Sequence, residues 1–192
     1  MQQAQGVRQR LFVAVPLPES ALGFVHEAQT LLPRFPGLRL MTAEQFHVTL
    51  AFVGEVDEAK VGAVQAVVDS VPSKMGGAGL IERFLLLPSP KRARVVALEV
   101  RDTDGAFARL FEWVMDGLER SGVMQREKRP FRPHLTIARM RNPGLVQPRS
   151  ESGQRPYAVE SVCLYRSELR REGAAYTVLA STRLTGDADT TA

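Results

Sequence analysis

The sequence lacks the features of several protein classes. Its one cysteine, Cys163, cannot form a disulfide within the chain. No apolar run approaches the roughly 20 residues that a membrane-spanning helix needs. Twelve prolines and fifteen glycines interrupt the chain throughout, which excludes a long coiled coil. We therefore expect a reduced, cytoplasmic protein that is monomeric and does not bind membranes.

Charge and composition set broad limits on what the protein binds. Lys and Arg together number 25 against 21 for Asp and Glu, a formal net charge of +4. This small excess favours anionic partners but does not by itself indicate nucleic-acid binding. Apolar residues make up 44 % of the 192 residues, enough to bury a core in one large domain or two small lobes. We predict a flexible N-terminus over residues 1–9, a single two-lobed domain over 10–184 and a disordered tail over 185–192.

Hydrophobic periodicity predicts alternating strands and helices. Helical spacing begins near residues 19, 57 and 104, and the third helix is predicted to be capped by Thr103 or Asp104. Residues 45–53 alternate, which places Phe46, Val48, Leu50 and Phe52 on one face of a strand. Other predicted strands cover residues 11–17, 80–87, 95–100, 135–140, 159–165 and 176–184.

The predicted elements occur in a repeated order. A strand at Leu11, a helix and a strand that carries His47 are matched by a strand at Val95, a helix and a strand that carries His134. The two offsets are 36 and 39 residues. This repetition predicts an α+β fold of two similar lobes related by a pseudo-two-fold axis.

Two of the three histidines begin the same four-residue pattern, His-x-Thr-x, in which Thr stands two residues after His. The pattern occurs at residues 47–50 and 134–137. With ten threonines in the chain, Thr follows a given His at this spacing by chance in ~5 % of cases, so the pair is a specific signal. Residues i and i+2 of a strand share a face, which places Thr49 beside His47 and Thr136 beside His134. We expect the two pairs to face each other across a cleft. His26 lies off the apolar stripe of its helix and is expected to be solvated.

Two imidazoles and two hydroxyls in one cleft suit in-line displacement at phosphorus. An imidazole titrates near pH 6.5, so one ring can act as the general base and the other as the general acid. The threonine hydroxyls can donate hydrogen bonds to the non-bridging phosphate oxygens. Zinc binding is the rival interpretation, but no Cys, Asp or Glu lies at strand spacing beside either motif, so we predict no metal and no other cofactor.

Arginines near the second motif are candidates for phosphate binding. Arg132 lies two residues before His134 and is expected on the same strand face, where it could bind substrate phosphate or form a surface ion pair. By the same count, Arg139 falls on the opposite face and is expected to be structural unless a bulge intervenes.

The paired motifs resemble those of the two-histidine phosphoesterase superfamily. More narrowly, the chain resembles bacterial RNA 2′,3′-cyclic phosphodiesterases, also called the 2′-5′ RNA ligase family. The match covers residues 10 to about 184, and its landmarks lie at residues 10–14, 44–55, 131–139 and 164–169, with Gly173 and Tyr176 following. Relatives often have Asn at the position of Gln45.

The resemblance implies a fold and an activity. The fold is bilobal α+β, with antiparallel sheets that line a central groove and helices on the outside. The activity is metal-independent hydrolysis of an RNA terminal 2′,3′-cyclic phosphate to a 2′-phosphomonoester, with His47 as proton donor and His134 as proton acceptor. It also implies 2′-5′ RNA ligation in vitro, with tRNA halves among the RNA partners. Hydrolysis of small cyclic nucleotides or sugar-nucleotide cyclic phosphates, and non-catalytic binding of RNA ends, remain alternatives.

Overall fold

The structure is a computed structural model that describes residues 8–170 and 173–186. Within these ranges the strands are β1 (Arg8–Pro16), β2 (Leu38–Leu40), β3 (His47–Asp57), β4 (Gly77–Leu87), β5 (Ala93–Asp102), β6 (His134–Gly144), β7 (Arg155–Val159), β8 (Ser161–Arg170) and β9 (Gly173–Arg183). The α-helices are α1 (Leu22–Thr30), α2 (Glu58–Asp69) and α3 (Ala106–Arg120). None of the helices in the described part of the chain is long and apolar enough to cross a membrane.

The strands form one continuous antiparallel sheet in the order β7-β4-β5-β6-β3-β1-β8-β9, and β2 pairs with β6 beside this path. The strand order is symmetric about the junction of β6 and β3. In one half β5 pairs with β6, and in the other half β1 pairs with β3 in the same way. At the centre, β3 and β6 are joined through the residue pair Val48 and Leu135. The predicted α+β fold with pseudo-two-fold halves is therefore confirmed, and the two halves share a single sheet.

The helices cover the face of the sheet that carries the core. The valines of α2 that were predicted to face inward, Val61, Val64, Val67 and Val68, are all buried. Helix α3 begins after Gly105, whose φ of +80° suits glycine. Its first amides are bound by Asp104 and Asp102, since the Ala106 amide donates to Asp104 Oδ1 (3.0 Å) and the Ala108 amide to Asp102 Oδ2 (2.9 Å). The N-cap residue is thus Gly105 rather than the predicted Thr103 or Asp104, and the Asp104 and Asp102 carboxylates accept from the amides of the first turn.

Some boundaries differ from the sequence-based ones. The short strand β2 was not predicted, and the single strand expected at 159–165 belongs to two strands that meet at Glu160. Strand β1 already includes Arg8 and Gln9, which had been assigned to a flexible N-terminus. At the other end, Thr185 had been assigned to the disordered tail, but its amide donates to the Ser73 carbonyl (2.7 Å). Residues 1–7 and 187–192 of the predicted flexible termini lie outside the described residues.

Candidate active site

The two His–Thr pairs lie side by side on the central strands of the sheet. Counting antiparallel register from the Val48–Leu135 pair places His47 opposite Thr136 and Thr49 opposite His134. Val48 and Leu135 are fully buried, while both histidines and both threonines are partly exposed on the other face. The pairs therefore occupy neighbouring strands of one sheet, and the expected cleft is a groove over this face.

Each tetrapeptide ends in a β-bulge. On β3, Thr49 pairs with Ala14 and Ala51 pairs with Val13, which leaves Leu50 as the extra residue. On β6, Thr136 pairs with Ala97 and Ala138 with Val96, so Ile137 is the extra residue. Two adjacent residues are buried at each bulge, and the alternation of faces resumes one position later. The bulge is thus a shared property of both motifs.

The bulges reverse the predicted orientation of two side chains. Phe52 was assigned to the core face, but it is 64 % exposed and lines the groove. Arg139 was assigned to the opposite face unless a bulge intervened, and the bulge at Ile137 brings it into the groove. Simple counting by two fails beyond each motif because it assumes an unbroken ladder.

A buried glutamine supports the bulge on β6. Gln29 of α1 donates from Nε2 to the carbonyls of Ile137 (2.9 Å) and Met41 (2.8 Å), and the Met41 amide also donates to the Ile137 carbonyl (2.9 Å). The Ile137 carbonyl therefore accepts two hydrogen bonds, one from the backbone that follows β2 and one from the Gln29 side chain, which ties helix α1 to the bulge. Sequence analysis missed Gln29, although a polar residue on the apolar stripe of a helix is the signal that could have found it.

The groove has a volume of about 600 Å³ and combines positive charge with apolar surface. Its arginines are Arg10, Arg39, Arg139 and Arg170. Its apolar and aromatic side chains include Leu11, Phe12, Met41, Phe52, Val95, Leu169 and Tyr176. Guanidinium groups bind phosphate, and apolar rings stack on nucleobases, so this lining suits a nucleotide.

His47 lies in a box of aromatic rings. Its ring centroid is 4.8 Å from that of Phe12, 5.5 Å from Tyr176 and 6.1 Å from Tyr165. Burial among these rings lowers the pKa of His47 to about 4, and the positive charges of Arg139 and His134 act in the same direction. A hydrogen bond to the Gln45 backbone opposes the shift. With this pKa, the His47 ring is neutral at neutral pH.

His134 is oriented by the backbone just before it. Its Nδ1 lies 2.8 Å from the carbonyl oxygen of Arg132. Because a carbonyl oxygen can only accept, Nδ1 must carry the proton, and in the neutral ring Nε2 then has a free lone pair. His47 bonds the backbone of Gln45, which is likewise two residues earlier. The two rings are thus held in equivalent ways.

Arg132 is not among the residues that line the groove. It precedes β6 rather than lying in it, and its guanidinium contacts Glu99 on β5, with Nε and Nη2 at 3.1 and 2.8 Å from Oε1. The structure therefore realises the ion-pair alternative for Arg132, because a carboxylate lies within reach on the neighbouring strand.

The remaining predicted residues are placed as follows. Gln45 is buried and donates from Nε2 to the Ala174 carbonyl (2.5 Å), which links the turn before β3 to β9. His26 is exposed, as predicted. Over residues 8–170 and 173–186, no three His, Cys, Asp or Glu side chains form a group that could hold a metal ion.

Comparison with protein families gives a match over residues 15–97 to a model described as LigT-like phosphoesterase. A protein of Thermus thermophilus named RNA 2′,3′-cyclic phosphodiesterase is 31 % identical, over 93 % of this chain and 91 % of its own length. A protein of the same name from Escherichia coli is 32 % identical, over 92 % of this chain and 97 % of its own length.

Solved structures show the same likeness. The crystal structure of TT0787 of Thermus thermophilus superposes with a TM-score of 0.76 at 30 % identity, covering 93 % of this chain and 99 % of that one. Escherichia coli LigT complexed with 3′-AMP gives a TM-score of 0.73 at 28 % identity, with the same coverage of both chains.

Proposed function

This chain belongs to the LigT-like phosphoesterase family, and on that premise we propose that it hydrolyses the terminal 2′,3′-cyclic phosphate of RNA to a 2′-phosphomonoester. The observation that carries the proposal is the placement of two His–Thr pairs on adjacent strands of one groove lined by arginines. The named relatives and the 3′-AMP complex of a similar structure support a nucleotide substrate.

The two imidazoles are proposed to divide the proton transfers. His134 Nε2 takes a proton from the attacking water, whose oxygen forms the new bond to phosphorus. The bond from phosphorus to the 3′ oxygen breaks, and His47 gives its proton to that oxygen. An in-line displacement places the attacking and leaving groups on opposite sides of phosphorus, so each can be served by one imidazole. The assignment of the donor role to His47 follows the resemblance to the family.

Because its pKa is lowered, His47 needs the bound substrate in order to act as the general acid. A ring with a pKa of about 4 is almost entirely neutral at neutral pH, so it lacks the second proton that a general acid must donate. An anionic phosphate in contact with the ring favours the imidazolium and raises this pKa. We infer that His47 is charged only when the cyclic phosphate is bound.

Thr49, Thr136 and one arginine are proposed to bind the phosphate. The two hydroxyls lie beside the imidazoles and can donate to the non-bridging oxygens as charge develops. Of the arginines near the second motif, Arg139 is the better candidate because it lines the groove, whereas Arg132 is bound to Glu99. The bulge at Ile137 supplies this residue to the site.

The finer properties remain predictions. They are a monomeric state, a cytoplasmic location, no membrane partner, no cofactor, tRNA halves as substrates and 2′-5′ ligation in vitro. Metal independence is expected because two imidazoles already supply the acid and the base.

The proposal is tested by turnover of an oligonucleotide that ends in a 2′,3′-cyclic phosphate. The expected product has gained one water and carries a 2′-phosphate, which ³¹P NMR distinguishes from the 3′ isomer. His47→Ala and His134→Ala should each lower the rate ~10²–10⁴-fold with an unchanged circular dichroism spectrum. His26→Ala, at an exposed histidine outside the groove, is the matched control and should keep full activity.

Other outcomes would indicate the alternative functions. Turnover of cyclic mononucleotides or sugar-nucleotide cyclic phosphates without turnover of the oligonucleotide would assign a small-molecule phosphodiesterase. Binding of the oligonucleotide without any turnover would assign an RNA-end-binding module. Either result would contradict the proposed reaction.

A further inference from the structure

Glu99 lies directly across the ladder from His134. The two residues are Cα partners in the pairing of β5 with β6, and directly opposed residues share a face of the sheet. Ala97 is likewise paired with Thr136, and the intervening Leu98 is fully buried on the core side. Glu99 therefore leaves its strand on the side of the two motifs, with a side chain that is only 16 % exposed.

The Glu99 carboxylate is held by two arginines. Arg132 contacts Oε1 through two nitrogens, at 3.1 and 2.8 Å, and Arg83 Nη2 lies 2.6 Å from Oε2. The Arg132 guanidinium is the main reason that the pKa of Glu99 lies below its usual value. Glu99 is the less exposed partner in both contacts, since Arg132 and Arg83 are 52 % and 73 % exposed, and the contact of two Arg132 nitrogens with Oε1 is a charge-assisted one.

Arg132 connects this ion pair to the histidine. Its carbonyl oxygen accepts from His134 Nδ1 at 2.8 Å, so the residue that Glu99 anchors also orients the imidazole. The neighbouring residues are fixed separately, since Phe131 stacks on Phe111 with centroids 4.5 Å apart and the Pro133 carbonyl accepts from the Val100 amide (3.1 Å). The part that remains for Glu99 to fix is the Arg132 side chain and, through it, the direction of the Arg132 backbone carbonyl.

We propose that Glu99 is a positioning residue for His134, acting through Arg132 to hold the Nδ1–H tautomer and aim Nε2 into the groove. This inference rests on the proposed function for its catalytic consequence, and on the contacts among these three residues for its structural part. It adds to the site a residue of β5 that touches no reacting atom.

The structural part is tested on the whole protein by ¹⁵N NMR of the histidine side chains. In the parent, His134 should show a protonated Nδ1 and an unprotonated Nε2 in its neutral form. Glu99→Gln should shift this ring toward a mixture of the two tautomers. The matched control is Glu82→Gln, which removes a carboxylate of similar exposure (19 %) that is ion-paired to Arg101 (2.9 Å). It should leave the His134 spectrum unchanged.

Kinetics on the cyclic-phosphate oligonucleotide test the catalytic part. Glu99→Gln should lower kcat about ten- to hundredfold, the scale of a misplaced catalytic group, with KM within about twofold of the parent. Arg132→Met should have the same effect, and the double variant should be no worse than either single one because both act on one carbonyl. Arg132→Lys, which keeps the charge, should recover part of the rate.

Several results would overturn the proposal. These are an unchanged His134 tautomer in Glu99→Gln, equal losses in Glu82→Gln and Glu99→Gln, or additive losses in the double variant. A raised KM in Arg132→Met with a lowered KM in Glu99→Gln would instead make Arg132 a phosphate ligand that Glu99 restrains. If Glu99→Gln does not fold, Arg132→Met decides the question, since Glu99 then keeps Arg83. If the parent turns over no cyclic phosphate, the proposed function fails while the tautomer measurement still decides the positioning role.

Discussion

The aromatic box around His47 should make the protein less stable in mild acid. In the unfolded chain this histidine titrates near pH 6.5, whereas burial among Phe12, Tyr165 and Tyr176 lowers its pKa to about 4 in the folded state. Between these values the unfolded chain binds the proton more readily, so acidification favours unfolding. The stabilisation is fully present above pH 6.5 and is lost as the pH falls toward 4.

The size of the effect follows from the two pKa values. One pKa unit corresponds to ~1.36 kcal/mol, so the shift from 6.5 to about 4 corresponds to ~3.4 kcal/mol when fully lost. At pH 4.5 the folded ring is still mostly neutral and the unfolded ring is charged, which gives a loss of about 2.5 kcal/mol relative to pH 7. This is a large part of the ~5–15 kcal/mol that stabilises most domains.

Urea denaturation at pH 7 and at pH 4.5 measures this loss. The parent should lose about 2.5 kcal/mol more on acidification than His47→Gln, whose side chain does not titrate. His26→Gln is the control and should follow the parent, because it retains His47. Equal pH dependence of the parent and His47→Gln would refute the desolvation argument. Inorganic phosphate should reduce the difference if an anion in the groove raises the pKa of His47.

Three further outcomes are expected. A substrate with sulfur at the bridging 3′ position has a leaving group that needs no proton. It should therefore restore much of the rate to His47→Ala and little to His134→Ala. Rescue of the His134 variant alone would reverse the assigned roles. Thr49→Val keeps the shape but loses one donor to the phosphate, and kcat measurements should show a decrease of roughly 10- to 1000-fold; full activity would remove Thr49 from the mechanism. Exhaustive chelation should leave turnover unchanged, and activity lost to chelator and restored by one divalent ion would show that a metal takes part.

The order of strands and helices and the location of the histidines could be predicted from local signals. Val61 to Val68 repeat at helical spacing, and Val48 and Leu135 are apolar residues between polar ones, so periodicity alone assigns their faces. The three-residue strand β2 carries no such signal, because Leu38–Leu40 is too short for alternation to be recognised. Its pairing with β6 depends on contacts distant in sequence.

The residues that line the groove beyond the two motifs could not be predicted from periodicity. Phe52 and Arg139 reach the groove because a bulge precedes each of them, and a bulge is set by the partner strand and by a buried donor such as Gln29. Arg132 could not be assigned from spacing either, since its partner, Glu99, lies 33 residues away in the sequence. Spacing along a strand predicts the direction of a side chain only where the β-ladder is unbroken.

The unlike residues that follow the two equivalent bulges give the groove a direction. A near-symmetric pair of His–Thr motifs offers a substrate two orientations, related by the pseudo-two-fold axis, in which the two imidazoles exchange roles. Phe52 places an uncharged ring at one end, while Arg139 places a permanent cation at the equivalent position of the other. A phosphate beside a nucleoside is itself unsymmetrical, so the two orientations differ in energy. Under the proposed reaction we expect Phe52 and Arg139, which follow the bulges at Leu50 and Ile137 by two residues, to determine which of the two orientations the substrate adopts.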